Sequence, residues 1–77
     1  MDHQLQLQLL INHSVSQYFT NLEDAEASNI YDMVINQVER HLLTTVMQHA
    51  HNNQSQAARW LGLSRNTLRK LLAKYGL

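Results

Sequence analysis

Polar and apolar positions follow two rhythms along this chain, and the slower one dominates. Leu7, Ile11, Val15, Tyr18 and Leu22 stand four, four, three and four residues apart, with Phe19 beside Tyr18. That spacing is the 3.6-residue period of an amphipathic helix, so the pattern predicts a first helix from about residue 6 to 22. Gln4-Leu-Gln-Leu-Gln-Leu9 alternates with period two, the mark of a short strand. The helical stripe accounts for more residues and is the preferred reading, with the end before residue 6 frayed. Asn21 to Ala27 is polar and acidic and reads as the first loop. Ser28 is a candidate cap for a second helix over about 29 to 50, and Asp32 adds negative charge where the helix dipole favours it. Ile30, Val34, Val38, Leu42, Val46 and Ala50 recur every four residues there, and Tyr31, Met33, Ile35, Leu43 and Met47 widen the stripe.

The last third carries a tighter pattern, after a polar connector, His49-Ala-His-Asn-Asn53. Asn53 suits an N-cap, with Gln56 three residues on as its capping-box partner. Ala57 and Ala58 are small enough for a second helix to pack close. Leu61 ends the apolar face, Gly62 suits the left-handed stop of a helix, and Leu63 plugs the turn. Ser64 then caps a final helix with Leu68, Leu71 and Leu72 on one face, and Gly76 ends it. Two short helices joined this way form a helix-turn-helix, so the fold predicted is all-α, with four helices in a single domain, residues 1–77: dimerisation helices over about 6–50 and the motif over 53–76. Trp60 is expected to pack between the motif and the long helix.

Composition sharpens the picture at one point, which is dimerisation. A chain of 77 residues buries only about 60% of its unfolded surface. It has no Cys, so neither disulfides nor thiolate–metal sites can reinforce it. The second helix is apolar on more sides than its own chain can cover. A second copy would cover it, which predicts an isologous homodimer through Ile11, Val15, Tyr18, Phe19, Ile30, Val34, Val38 and Leu42. A loosely packed monomer is the plainer alternative. No stretch reaches the length of a membrane span, and the Met start lacks a basic leader, so the chain reads as a complete cytoplasmic protein.

Net charge is zero, but its distribution is not even. Residues 1–39 hold all six acids (Asp2, Glu23, Asp24, Glu26, Asp32, Glu39), and residues 40–77 hold all six Lys and Arg (Arg40, Arg59, Arg65, Arg69, Lys70, Lys74). Four of those bases sit on the last helix. Such polarity suits one end of the chain to a polyanion, although a solvated basic face would look the same. In a helix-turn-helix the second helix enters the DNA major groove and its first turn meets base edges. Arg65, one residue past the cap, is placed to fork onto guanine. Asn66 is a second base-edge candidate. Ser64 and Thr67 offer short hydroxyls to phosphates, while Arg69, Lys70 and Lys74 follow the face toward the backbone. Asn53, Gln54 and Ser55 add donors at the N-terminus of the preceding helix. With so few base readers, affinity should be salt-sensitive and sequence choice should depend on DNA shape.

Five histidines (His3, His13, His41, His49, His51) raise the question of a metal, but His49 and His51 are two apart, off one helix face, and lack a neighbouring carboxylate. No metal, cofactor or small-molecule substrate is expected, and no nucleophile–base–orienter set suggests an enzyme.

Asn53-Gln-Ser-Gln-Ala-Ala-Arg-Trp-Leu-Gly-Leu-Ser-Arg-Asn-Thr-Leu-Arg-Lys-Leu-Leu-Ala-Lys-Tyr-Gly76 resembles the C-terminal signature of the bacterial Fis proteins (factor for inversion stimulation). Val38-Glu-Arg-His-Leu-Leu-Thr-Thr-Val-Met-Gln48 and Tyr18-Phe19 extend the likeness to about 60 residues. The segment is also similar to the C-terminal domain of nitrogen-regulator-type enhancer-binding activators, which carry it after an ATPase domain. The Fis resemblance implies an intertwined four-helix homodimer that bends double-stranded DNA, organises the nucleoid and regulates transcription, with RNA polymerase left open as a further partner. It implies base contact by Arg65 and phosphate contact by Asn53, Ser55, Thr67, Lys70 and Lys74. Ser64 stands where the family often has Asn. Leu71 and Ala73 occupy positions that are often basic, which implies weaker non-specific binding. Only about five residues precede the first helix, too few for the β-hairpin arm with which longer members activate DNA invertases. Two readings compete: a helical protein-interaction module, such as a decoy subunit of a larger activator, and a zinc-responsive regulator using the histidines.

Overall fold

The computed structural model describes residues 3–77 and folds them into four helices: α1 His3–Leu22, α2 Ile30–His49, α3 Gln54–Leu61 and α4 Arg65–Tyr75. The chain is all-α, and the alternating Gln/Leu start belongs to α1 rather than to a strand. The frayed end expected before residue 6 is corrected from His3 onward, while residues 1 and 2 lie outside the described residues. Gln and Leu are both good helix formers, and no Gly or Pro intervenes to stop the helix there.

Ser28 does not cap α2. Tyr18 Oη donates to the Ser28 carbonyl at 3.1 Å and accepts from the Ser28 N–H at 3.1 Å, so the loop residue is clasped by α1. Asn29 takes the cap position instead: its φ is +58°, a left-handed conformation that Asn tolerates, and its carbonyl accepts the Met33 N–H at 3.0 Å.

The chain divides into two compact units, residues 1–37 and 38–77, with the boundary inside α2. The sequence placed its own division at the connector near residue 50. In the first unit Ser14 Oγ donates to Gln37 Oε1 at 3.1 Å, tying α1 to α2. Tyr18 and Phe19 stack edge to face, with centroids 5.7 Å apart. Ile11, Val15, Tyr18 and Leu22 are half-buried, as are Ile30, Met33 and Val34. Leu7 is exposed, so the covered part of the α1 stripe begins a turn later than the pattern suggested. No described residue before Leu43 is fully buried.

The second unit has a closed core. Leu43, Ala50, Ala57, Ala58, Leu68, Leu72 and Tyr75 are buried together, with Val46, Met47, Leu61 and Leu71 partly buried against them. Ala57 and Ala58 present almost no side-chain bulk, which lets α3 and α4 approach closely. α2 ends at His49, and after Ala50 both His51, at φ +51°, and Asn52, at φ +64°, are left-handed. The His51 N–H reaches back to the Gln48 carbonyl and the Asn52 N–H to that of Met47, at 3.1 and 3.0 Å. This is the doubled helix stop usually built on glycine, made here by two residues that have side chains.

Candidate nucleic-acid interface

Caps fix the motif at both ends of its turn. The Asn53 side chain accepts the Gln56 N–H at 3.1 Å, satisfying one of the orphan amides of α3. At the other end Gly62 has φ +75°, and the Leu63 N–H reaches the Ala58 carbonyl at 2.9 Å. A Cβ at Gly62 would meet nothing within 4 Å, so the backbone angle alone calls for glycine. Ser64 then caps α4 by accepting the Thr67 N–H at 3.1 Å, and its own hydroxyl donates to Thr67 Oγ1 at 2.9 Å. That exchange leaves the Thr67 hydroxyl proton for an acceptor outside the helix. Ser64 has its own proton engaged, which suits it to capping more than to holding a phosphate.

With Leu68, Leu72 and Tyr75 buried, the opposite face of α4 must look outward. Arg65, Asn66, Thr67, Arg69 and Lys70 are all exposed along it. Asn66, Arg69, Lys70 and Ala73 line a shallow open groove. Arg69 Nη2 donates to Asn66 Oδ1 at 3.2 Å. A bidentate grip on adenine needs that same oxygen as acceptor, so Asn66 must exchange Arg69 for the base before it can read one. Arg65 sits one position past the cap, at the leading end of the helix.

At the start of α3, Asn53 and Ser55 are exposed beside the positive end of the helix. Gln54 is half-buried and lines an apolar groove with Met47, Leu72 and Leu77, which makes it a weaker candidate for DNA than its two neighbours. Arg59, which the sequence reading left without a role, is an exposed base on α3. Trp60 is 55% exposed, so it does not pack between motif and long helix. Ala57 and Ala58 already take the inward positions of so short a helix.

Lys74 is placed differently from the other bases. Its Nζ lies 3.8 Å from Glu39 Oε1 and 5.1 Å from the centre of the Tyr75 ring. Arg40 approaches the same ring at 5.5 Å, and the Tyr75 hydroxyl bonds to the Glu39 carboxylate. Burial raises the Tyr75 hydroxyl above its ordinary value of 10.0, and the Glu39 bond adds to the rise while Lys74 opposes it. Sequence reasoning missed this cluster. The available signal was that Glu39 is the sole acid in residues 38–77.

Comparison with known proteins now decides the relationship. The profile of bacterial regulatory proteins of the Fis family matches residues 34–75, which are the larger part of α2 and the whole helix-turn-helix. The chain belongs to the Fis family. A relative from Ralstonia nicotianae (strain ATCC BAA-1114 / GMI1000), described as a Fis-like DNA-binding protein, is 52% identical over 67 residues, covering 87% of each chain. The Fis family is one of regulators, so this chain is not an enzyme. No described helix is long and apolar enough to cross a membrane, and among the described residues no three of His, Asp and Glu gather as a metal site would need.

Proposed function

We propose that this Fis-family protein is a cytoplasmic homodimer that binds and bends double-stranded DNA, regulating transcription and helping to organise the nucleoid. The observation that carries the reading is α4 itself: a doubly capped helix with three apolar residues buried on one side and Arg65, Asn66, Thr67, Arg69 and Lys70 exposed on the other. A helix presented this way fits the major groove, with Arg65 at the base edges, Thr67 and Lys70 on phosphates, and Asn53 and Ser55 holding a neighbouring phosphate. Pairing of chains is supported by the first unit, which has apolar stripes but no buried residue among those described. Phe19 of that unit remains 50% exposed, while Ile11, Val15, Tyr18, Ile30 and Val34 are half-covered; Val38 and Leu42, at the start of the second unit, are 41% and 49% exposed. Two copies would present two recognition helices to successive major grooves, about 34 Å apart on straight DNA, and a helix separation shorter than that would be met by bending the duplex.

A gel-shift titration tests the reading, on AT-rich and random duplexes at low and physiological salt. Binding should weaken steeply with salt. Arg65→Ala should lose about 1–3 kcal/mol and most of the preference between duplexes. Absence of binding at low salt would overturn the proposal and favour a protein-interaction module.

A further inference from the structure

Six bases and one acid lie in residues 38–77. A carboxylate on a DNA-binding unit lowers its attraction for phosphate, so the position of that one acid matters. Glu39 sits in a cluster on α2 and α4. Its carboxylate accepts the hydroxyl of Tyr75, a residue only 8% exposed, and lies 3.8 Å from Lys74 Nζ. Lys74 also stands over the Tyr75 ring, and Arg40 is a second cation near it. An isolated surface ion pair is worth little, because two mobile side chains must be ordered to form it. Here the bond from the largely buried tyrosine has already ordered the carboxylate, and the ring gives the ammonium a second attractive surface. Among the described residues no other base of α4 forms an ion pair with a carboxylate.

We infer that Glu39 withholds Lys74 from DNA: Lys74 serves as a positioning residue that fastens the C-terminal end of the recognition helix to α2, and it adds no phosphate contact of its own. The inference rests on the DNA-binding reading for its functional consequence, while the fastening can be tested without DNA. If Lys74 makes no phosphate contact, its charge contributes nothing to counterion release. Each phosphate contact accounts for about 0.9 in the slope of log affinity against log salt, which is about 3.5-fold in affinity between 50 and 200 mM salt.

The experiment uses the full chain. Affinity for one random-sequence duplex is measured across that salt range for wild type, Lys70→Gln, Lys74→Gln and Glu39→Gln, and melting temperature is measured for the same proteins, for Lys74→Arg and for the Glu39→Gln/Lys74→Gln double variant. Lys70→Gln, present twice in each dimer, should flatten the slope by about 1.8, and Lys74→Gln should leave it unchanged. Glu39→Gln keeps an oxygen for Tyr75 but frees Lys74 in both copies, so the slope should steepen by up to about 1.8 and low-salt affinity should rise several-fold. The melting temperatures should be non-additive, with the double variant no less stable than the worse single, and Lys74→Arg should retain wild-type stability. A slope loss in Lys74→Gln equal to that of Lys70→Gln would overturn the inference, as would strictly additive melting shifts. Failure of the wild type to bind any duplex would sink the DNA reading instead, and the melting cycle would still decide whether Glu39 holds Lys74.

Discussion

Gly62 shows how much can depend on one backbone angle. Its φ of +75° is open to glycine and strained for a residue with a Cβ, yet no atom within 4 Å would obstruct one. Gly62→Ala should therefore cost only the conformational penalty, about 1–2 kcal/mol, read as a lower urea midpoint with an unchanged slope. A variant as stable as wild type would mean that the turn does not need the left-handed angle. Tyr75 is sensitive to pH rather than to shape. Its folded value is raised above the ordinary 10.0, chiefly by burial. The protonated hydroxyl thus contributes its stability fully below about pH 10, and that contribution is lost as pH rises through the folded value. Melting temperature followed into the alkaline range should fall through this step in the wild type, and Tyr75→Phe should lack it. Only the first feature was legible beforehand. Glycine at a helix end announces its angle, whereas nothing in the neighbourhood of Tyr75 in the sequence points to Glu39, 36 residues earlier.

Among the elements, the two short helices were the most readable, because each carries its own punctuation: Asn53 and Gly62 on α3, Ser64 and Gly76 on α4. Cap chemistry is local, so local sequence specifies it. The long helices were readable by period but not by boundary. Ser28 offered good cap chemistry and lost to Asn29 because a tyrosine from α1 occupies both of its backbone groups. Trp60 was misplaced for a related reason: bulk and aromaticity suggest burial, but on an eight-residue helix the two alanines already fill the inward side. The end of α2 is the least expected element, with His51 and Asn52 both left-handed. His51→Gly should relieve more strain than the added freedom of the unfolded chain costs, raising stability by about 0.5–1 kcal/mol. Thermal or urea unfolding measures it, and a destabilised His51→Gly would show that the imidazole makes a contribution of its own.

At the scale of the whole molecule, the charge division and the uneven burial fall along the same line. The acidic half lacks a fully buried residue among those described, and the basic half closes its own core. If pairing of chains completes the acidic half, stability is tied to protein concentration. Melting temperature should drop on dilution, and Leu42→Asp should lower it and shift the sedimenting species toward monomer. A melting temperature independent of concentration, with a monomer in sedimentation, would sink the dimer. An excess of apolar helix faces in a short chain can be counted from the sequence, and that count is what raises the expectation of a dimer. It could not show which apolar positions one chain already half-covers, because that depends on how α1 and α2 meet at Ser14–Gln37 and at the Tyr18–Ser28 clasp.

The outward Trp60 gives the molecule an optical property. It is the sole indole in the chain, set at 55% exposure on the helix that precedes the turn. Its emission should lie toward the red and be quenched readily by iodide, reporting the surroundings of α3 alone without a label. Light from this residue would show a ligand arriving at the first motif helix, since Tyr18 and Phe19, the aromatic residues of α1, are dim beside it.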